Sequence, residues 1–212
     1  MNILQLDSGL FAGQSLTRKL AAKLVERLQR RDPNSTLVYR DLTQHAPAHL
    51  DATILLAAGK AEGERSAFEQ EQVTLSNTLL DELFAADVLV IGAPMYNFSI
   101  PGQLKAWLDR VLQSGKTFRY TANGPEGLVK GKRAYVVSSR GGIYSSGPTA
   151  AMEHQESYLL TALAFIGITD VQVIRMEGVA MGDEFKAKAL QQAEAEVAGA
   201  ELEPLTQFRR SA

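Results

Sequence analysis

Hydrophobic and polar positions along the chain follow two rhythms. Leu16, Leu20, Leu24 and Leu28 recur every fourth residue with Ala21 and Val25 beside them. That spacing predicts one apolar stripe of a helix ending before Pro33. Ahead of it, Asn2 to Leu6 reads as a short apolar strand, followed by a loop from Asp7 to Gln14. Thr36 to Leu42 predicts a second strand, with Leu37 and Tyr39 alternating against Val38 and Arg40. Residues 45–63 hold Pro47 and mixed Ala/Leu content and read as irregular. A helix is expected from about Ser66 to Phe84, carried by Val73, Leu79, Leu80 and Leu83. Asp87 to Ala93 predicts a third strand, apolar on both faces.

Further on, Pro101 marks the start of a helix whose stripe is Leu104, Trp107, Leu108, Val111 and Leu112. Phe118 to Gly131, with its Asn123-Gly124-Pro125 turn, predicts a hairpin-like excursion. Arg133 to Ser138 is a fourth strand, and a glycine-bearing loop from Ser139 to Thr149 precedes a helix reaching Ile166. Val171 to Met176 is a fifth strand, and an Ala-rich helix runs from Glu184 to about Leu202. Strands alternating with helices imply an α/β fold, a parallel sheet covered on both faces. The third strand has the chemistry of an interior strand. Polar Arg40, Gln172 and Arg175 mark the second and fifth as edges. The expected order is therefore 2-1-3-4-5, the flavodoxin-like winding, within one domain spanning 1–212.

Composition adds exclusions. The net charge of −2 gives no bulk support to a nucleic-acid role, and the chain has no cysteine. Disulfides, thiolate catalysis and cysteine metal sites are excluded, so redox chemistry would have to come from a bound cofactor. No apolar run approaches a membrane span and no signal segment is visible, so a cytoplasmic enzyme with no membrane partner is expected. Asn34-Ser35-Thr36 and Asn97-Phe98-Ser99 fit the glycosylation pattern by chance on this reading.

In such a sheet, ligands bind beyond the carboxyl ends of the strands near the switch between strands one and three. Three loops are placed there. The first carries Ser8 and Gly9, then Ser15, Leu16 and Thr17 at a helix start. Free amides and the helix dipole favour an anion at that end, although Ser15 reads equally well as a simple N-cap. Neither a dinucleotide fingerprint nor a P-loop is present. The second loop, Pro94-Met95-Tyr96-Asn97-Phe98, brings two aromatics and an amide where a planar ring would use them. In the third, Ser139-Arg140-Gly141-Gly142, adjacent glycines let amides approach a ligand closely. His45 and His49, separated by Pro47, read as solvated loop residues rather than a metal pair. His154 reads as a surface residue of a helix beside Glu153 and Glu156, and Arg209 and Arg210 as a frayed tail.

Taken together, Pro94-Met95-Tyr96-Asn97-Phe98, Leu104-Lys105-Ala106-Trp107, Gly115-Lys116-Thr117-Phe118 and Ser139-Arg140-Gly141-Gly142 resemble the bacterial FMN-dependent NADH-azoreductases, also described as NADH:quinone oxidoreductases. The resemblance extends to Phe165-Ile166-Gly167-Ile168 and covers nearly the whole chain. It implies a flavodoxin-like homodimer with FMN in two interfacial sites, NADH as donor, and quinones and aromatic azo compounds as oxidants. By position it implies that Ser15, Leu16 and Thr17 bind the phosphate, Met95 to Phe98 line the isoalloxazine, and Ser139 to Gly142 meet its pyrimidine end. It places Tyr120 in the substrate pocket. Relatives often carry two serines where this chain has Ser8-Gly9, which leaves the contact at that point open between Ser8 and Gly9. No obligatory catalytic acid or base is singled out, with Tyr120 and Tyr144 the groups able to relay protons. A flavodoxin-type electron carrier and a flavin-free binding module of the same fold are the alternatives.

Overall fold

The computed structural model describes residues 1–199. Seven strands and six α-helices follow in chain order: β1 (Asn2–Asp7), α1 (Leu16–Arg31), β2 (Thr36–Asp41), α2 (Ala52–Ala57), α3 (Ala67–Ala85), β3 (Val88–Pro94), α4 (Gly102–Val111), β4 (Phe118–Thr121), β5 (Gly124–Gly127), β6 (Arg133–Ser139), α5 (Glu156–Ile166), β7 (Asp170–Met176) and α6 (Asp183–Gly199). The main sheet is five-stranded and wholly parallel, in the order β2-β1-β3-β6-β7. These are the five strands expected, in the expected places. The numbers differ only because the hairpin β4-β5 is counted in chain order. The end of the last helix near Leu202, and Arg209 and Arg210, lie outside the described residues.

Strand periodicity divides the core in two. Ile3, Val88, Val90, Tyr135, Val137 and Ile174 face α1 and α6, packing on Leu20, Leu24, Leu28 and Val197. Leu4, Leu6, Leu89, Ile91, Ala134 and Val136 face α3, α4 and α5, packing on Leu83, Leu104, Trp107, Leu108 and Leu163. Every residue of β3 is buried, as its continuous apolar run requires. Edge strand β2 departs from expectation, because Leu37, Val38 and Tyr39 are all exposed. It pairs on one side only.

Two further differences are local. The stretch expected to be irregular at 45–63 contains α2, capped by Asp51, whose side chain accepts from the Ile54 amide at 2.8 Å. Its six residues are too few to give a readable period. The helix expected to hold His154 begins at Glu156. Exposed His154 instead forms a bridge with Ser99.

The hairpin β4-β5 is held by contact between two glycine backbones. A β-carbon on Gly127 would overlap the Gly167 amide and the Ile166 carbonyl carbon, which are main-chain atoms at the end of α5. Gly167 must itself be glycine-like, with φ 104°. We expect Gly127→Ala to destabilise the chain by about 1–3 kcal/mol, since the backbone has to part. Gly63→Ala, where an added β-carbon meets nothing within 4 Å, should change stability by less than about 0.5 kcal/mol. Denaturant unfolding of both variants checks the pair.

Candidate active site

The first loop and α1 form an open cradle. Ser15 caps α1, its hydroxyl accepting from the Arg18 amide at 3.4 Å and lying 3.0 Å from the Thr17 hydroxyl. Both side chains are buried. The cap uses the third amide of the helix, so those of Leu16 and Thr17 have no intrahelical acceptor. A β-carbon on Gly9 would overlap the Ser15 hydroxyl, so the space that hydroxyl occupies exists only because residue 9 is glycine. Ser8 is fully buried and its hydroxyl donates to the Gly92 carbonyl at 2.6 Å. Its proton is committed to the sheet and is withheld from any anion in the loop. The cap and the anion-site readings of Ser15 are thus compatible, because a capped helix still presents two amides and the Thr17 hydroxyl.

The second loop is a tight, strained turn. Tyr96 and Ser99 exchange amide-to-carbonyl bonds of 2.9 and 3.1 Å, and the two residues between them take positive φ, 48° at Asn97 and 72° at Phe98. This is the geometry of a two-residue hairpin turn, in which glycine is the favoured second residue. Phenylalanine there costs about 1–3 kcal/mol of backbone strain. The turn is clamped by the His154 amide donating to Phe98 O at 3.0 Å and by the Ser99 hydroxyl donating to His154 O at 3.0 Å. The result is an outward Phe98 ring, edge-on to Tyr144 at 6.2 Å, with Asn97 exposed beside it. Met95 is anchored by its amide donating to Ser139 O at 2.7 Å, and the Tyr96 hydroxyl accepts from the Leu10 amide at 3.1 Å. Pro94 ends β3, buried. The three loops are thereby tied to one another.

In the third loop the carbonyls of Arg140, Gly141 and Gly142 all accept from the Gly178–Ala180 segment at 3.0–3.1 Å, and the Arg140 amide donates to Met176 O. Among the described residues the amides of Gly141 and Gly142 have no such acceptor. The Arg140 side chain does not face this opening. It is 1% exposed and turned inward, with Nη1 2.9 Å from Glu177, Nη2 2.8 Å from Glu156 and 3.1 Å from Glu153, and Nε donating to Gln155 at 3.0 Å. The Nη2 contacts are ion pairs without hydrogen-bond alignment. The Arg140 side chain is therefore turned away from any ligand in the opening, and its amide is committed to Met176 O. Glu177, which also accepts from the Tyr144 amide at 2.8 Å, has its carboxyl held below the usual range. Burial opposes that shift, and the bonds from Ser145, Tyr144 and Arg140 outweigh it.

Asp7 lies beneath the first loop. It ends β1, is 1% exposed, and faces Asp41 on β2 and Gly92 on β3. Gln5 donates to its Oδ2 at 3.2 Å and Arg18 Nε stands 3.9 Å off, while Oδ1 has no donor. Burial pushes its pKa up to about 6, against the pull of Tyr39, Arg18 and Gln5. Burial also works against the charge on Asp41, but bonds from Arg18 and Thr43 prevail and hold it at about 2. Tyr39 is raised to about 12, by burial first and then by the charge of Asp7.

Tyr120 stands apart from these loops. It is 72% exposed on the hairpin, and its ring neighbour is Phe118 at 5.7 Å. His45 and His49 are exposed loop residues, and among the described residues no cluster suits a metal. Sequence reasoning placed Asp7 in the loop without a role and set Glu156 beside a surface histidine. Glu156 is in fact buried, accepts from Ser138 at 2.5 Å, and pairs with Arg140 and Arg175. A carboxylate closing an apolar strand was the available signal for Asp7. The glutamates give none, since their partner is remote in sequence.

An open parallel sheet in the order β2-β1-β3-β6-β7, with unpaired amides at its carboxyl edge, defines a flavodoxin-like protein. The flavodoxin-like fold family matches residues 1–199. Curated relatives include an FMN-dependent NADH:quinone oxidoreductase of Ralstonia nicotianae, 50% identical over 92% of this chain and 94% of that one. FMN-dependent NADH:quinone oxidoreductase 1 of Idiomarina loihiensis is 51% identical over 93% and 98%. Among solved structures, an FMN-dependent NADH-azoreductase of Bacillus anthracis in complex with FMN superposes with a TM-score of 0.83 at 27% identity, over 94% and 99%. The chain belongs to the flavodoxin-like fold family and, within it, to the FMN-dependent NADH:quinone oxidoreductases. No described helix is long and apolar enough to cross a membrane.

Asp7 makes the fold pH-sensitive in a direction that can be worked out. Its folded pKa of about 6 lies above the ordinary 3.8, so its contribution is fully present below pH 3.8 and lost as pH rises through about 6. A shift of this size corresponds to about 3 kcal/mol as an upper bound. We expect flavin-free Asp7→Asn to exceed the wild type in stability by about 1–3 kcal/mol at pH 7.5, the margin closing toward pH 4. Urea unfolding at the two pH values reads this out. A margin independent of pH would contradict it.

Proposed function

We propose that this chain is an FMN-dependent oxidoreductase that uses NADH to reduce quinones and aromatic azo compounds, working as a cytoplasmic homodimer. The observation that carries the reading is the pairing of free amides at both ends of one cradle, Leu16 and Thr17 at the head of α1 and Gly141 and Gly142 beyond β6. One end suits a terminal phosphate and the other an electron-rich carbonyl edge. The curated relatives carry the activity in their names over more than 90% of this chain.

In this reading Ser15, Leu16 and Thr17 hold the phosphate by two amides and the hydroxyls. Gly9 leaves room for Ser15, and Ser8 fixes the turn from beneath. Met95 to Phe98 lie along the ring, Asn97 presenting its amide and Phe98 its face, and Ser139 to Gly142 meet the pyrimidine edge through main-chain donors. FMN held by these residues would supply the hydride-transfer chemistry between NADH and the oxidant. The protein binds, orients and stabilises charge. The Gly141 and Gly142 amides are preorganised donors for negative charge developing at the pyrimidine edge. Their orientation is fixed by three carbonyl bonds to the Gly178–Ala180 segment and by the buried Arg140 cluster. Donor and oxidant occupy the same pocket in turn, a ping-pong order. An electron carrier of the flavodoxin type is disfavoured by a net charge of only −2 and by the names of the relatives.

Assembly is read from the surface. Leu50, Leu55, Leu56 and Phe68 are exposed around α2 and the start of α3. A groove of about 410 Å³ opens between α2, α3 and α4, with Leu50, Ile54 and Leu55 on its wall. Such a patch suits a second copy of the chain. Exposed Tyr120 would enter a substrate pocket through that pairing.

Three outcomes test this reading. Ser15→Ala with Thr17→Ala should weaken FMN binding roughly ten- to a thousand-fold, since hydrogen bonds to a charged group are worth ~1.5–3 kcal/mol each and the amides remain. Riboflavin, lacking the phosphate, should bind poorly and lose little more. Equal affinity of wild-type apoprotein for FMN and riboflavin, followed by flavin fluorescence, would show that the loop is no phosphate site. Sedimentation at micromolar concentration should give a dimer, and a fully active monomer would overturn the assembly. Tyr120→Ala should retain flavin while reordering substrates, with quinones still turned over faster than azo dyes, which need two hydride deliveries. A flavin-free variant would remove Tyr120 from the substrate pocket.

A further inference from the structure

Asp7 is, among the described residues, the buried carboxylate beside the phosphate cradle that the functional reading does not use. A β-carbon on Gly92 would lie 2.8 Å from Asp7 Oδ1 and 3.7 Å from the carbonyl carbon of Thr17. Little more than the width of one carbon atom therefore separates the carboxylate from the first turn of α1. Oδ1, on that side, is buried and accepts no hydrogen bond. An ionised carboxylate held this way has no solvent to screen it and, among the described residues, no donor at Oδ1.

The neighbours of Asp7 do not neutralise it. On α1, Arg18 is the nearest cation, but its Nη1 is given to Asp41 at 2.6 Å and to the Tyr39 hydroxyl at 2.9 Å, leaving Nε at 3.9 Å from Asp7. On β2, Asp41 stays ionised and cancels Arg18, and Tyr39 stays neutral. On β1, Gln5 supplies one uncharged donor. From β3 only Gly92 faces it, without a side chain. The cluster therefore carries one uncompensated negative charge whenever Asp7 is ionised.

We propose that Asp7 is a proton-linked positioning residue of the flavin site: binding of the FMN phosphate at the head of α1 drives proton uptake from solvent onto the Asp7 carboxylate. The proposal rests on the assignment of the first loop to the phosphate. Phosphate charge one helical turn above an ionised, unscreened carboxylate raises the free energy of the ionised form, and protonation removes the repulsion. The sign follows directly. Asp7 is half-ionised near pH 6 in the empty site. FMN binding therefore weakens as pH rises above about 6, by up to tenfold for each unit by which the phosphate raises the Asp7 pKa. The phosphate's own second ionisation, also near pH 6, works in the opposite direction and belongs to FMN alone. A measurement on Asp7 itself separates the two.

The test is the side-chain carboxyl carbon of Asp7, assigned through its own backbone by triple-resonance NMR so that no variant is needed. It is titrated from pH 4.5 to 8.5 in apoprotein, in protein saturated with riboflavin and in protein saturated with FMN. Saturation is verified in each sample by flavin fluorescence. The expected result is a pKa near 6 in the first two and one higher by about a unit or more with FMN. An unchanged pKa with FMN bound overturns the proposal while leaving the functional reading intact. Failure of FMN to saturate the protein overturns the functional reading, and the proposal with it.

Discussion

The site depends on one close approach: the head of α1 rests on the carboxyl ends of β1 and β3 with only glycines between. Gly92 leaves no β-carbon between Asp7 and Thr17, and Gly9 leaves none against Ser15. Helix α1 can then present two main-chain amides toward the loop, with the buried Ser15 and Thr17 hydroxyls 3.0 Å apart in the same turn. An anion site built from main-chain donors needs little from side-chain identity and much from where the chain is allowed to run. The same principle recurs at the other end of the cradle. Gly141 and Gly142 direct their carbonyls to the segment after β7 and keep their amides free.

What keeps these loops in register is a largely buried side-chain network. Gln155 reaches both Arg140 and the Ala93 carbonyl at the end of β3, so it bridges the second and third loops. Glu177 ties Arg140 to Tyr144, whose ring meets Phe98 edge-on. Strain at Phe98 is tolerated because this frame, together with the His154 bridge, overdetermines the turn. Rigid loops on strand ends suit a reaction in which the cofactor does the chemistry and the protein supplies orientation.

Much of this was legible in the sequence because it is periodic or local. The fourfold spacing of leucines in α1, the unbroken apolar run of β3 and the polar residues of the edge strands place the sheet and its order. Glycine pairs and the loop aromatics point to the carboxyl edge. The unread part is long-range or short. Six-residue α2 is too brief to show a period. The contacts that turn the Arg140 side chain inward come from residues 13 to 37 positions away, so its course could not be read from the local Ser139-Arg140-Gly141-Gly142 pattern. Asp7 differs from an ordinary loop carboxylate in its burial, and its place closing an apolar strand was the local signal for it.

The central claim is that this cradle holds a flavin that turns over between NADH and an oxidant. An anaerobic spectrum of the FMN-reconstituted protein tests it most directly. The account predicts a bound-flavin spectrum in the visible that bleaches on one equivalent of NADH and returns in full on one equivalent of a quinone. A protein that takes up no flavin, or a bound flavin that NADH leaves oxidised, would contradict it.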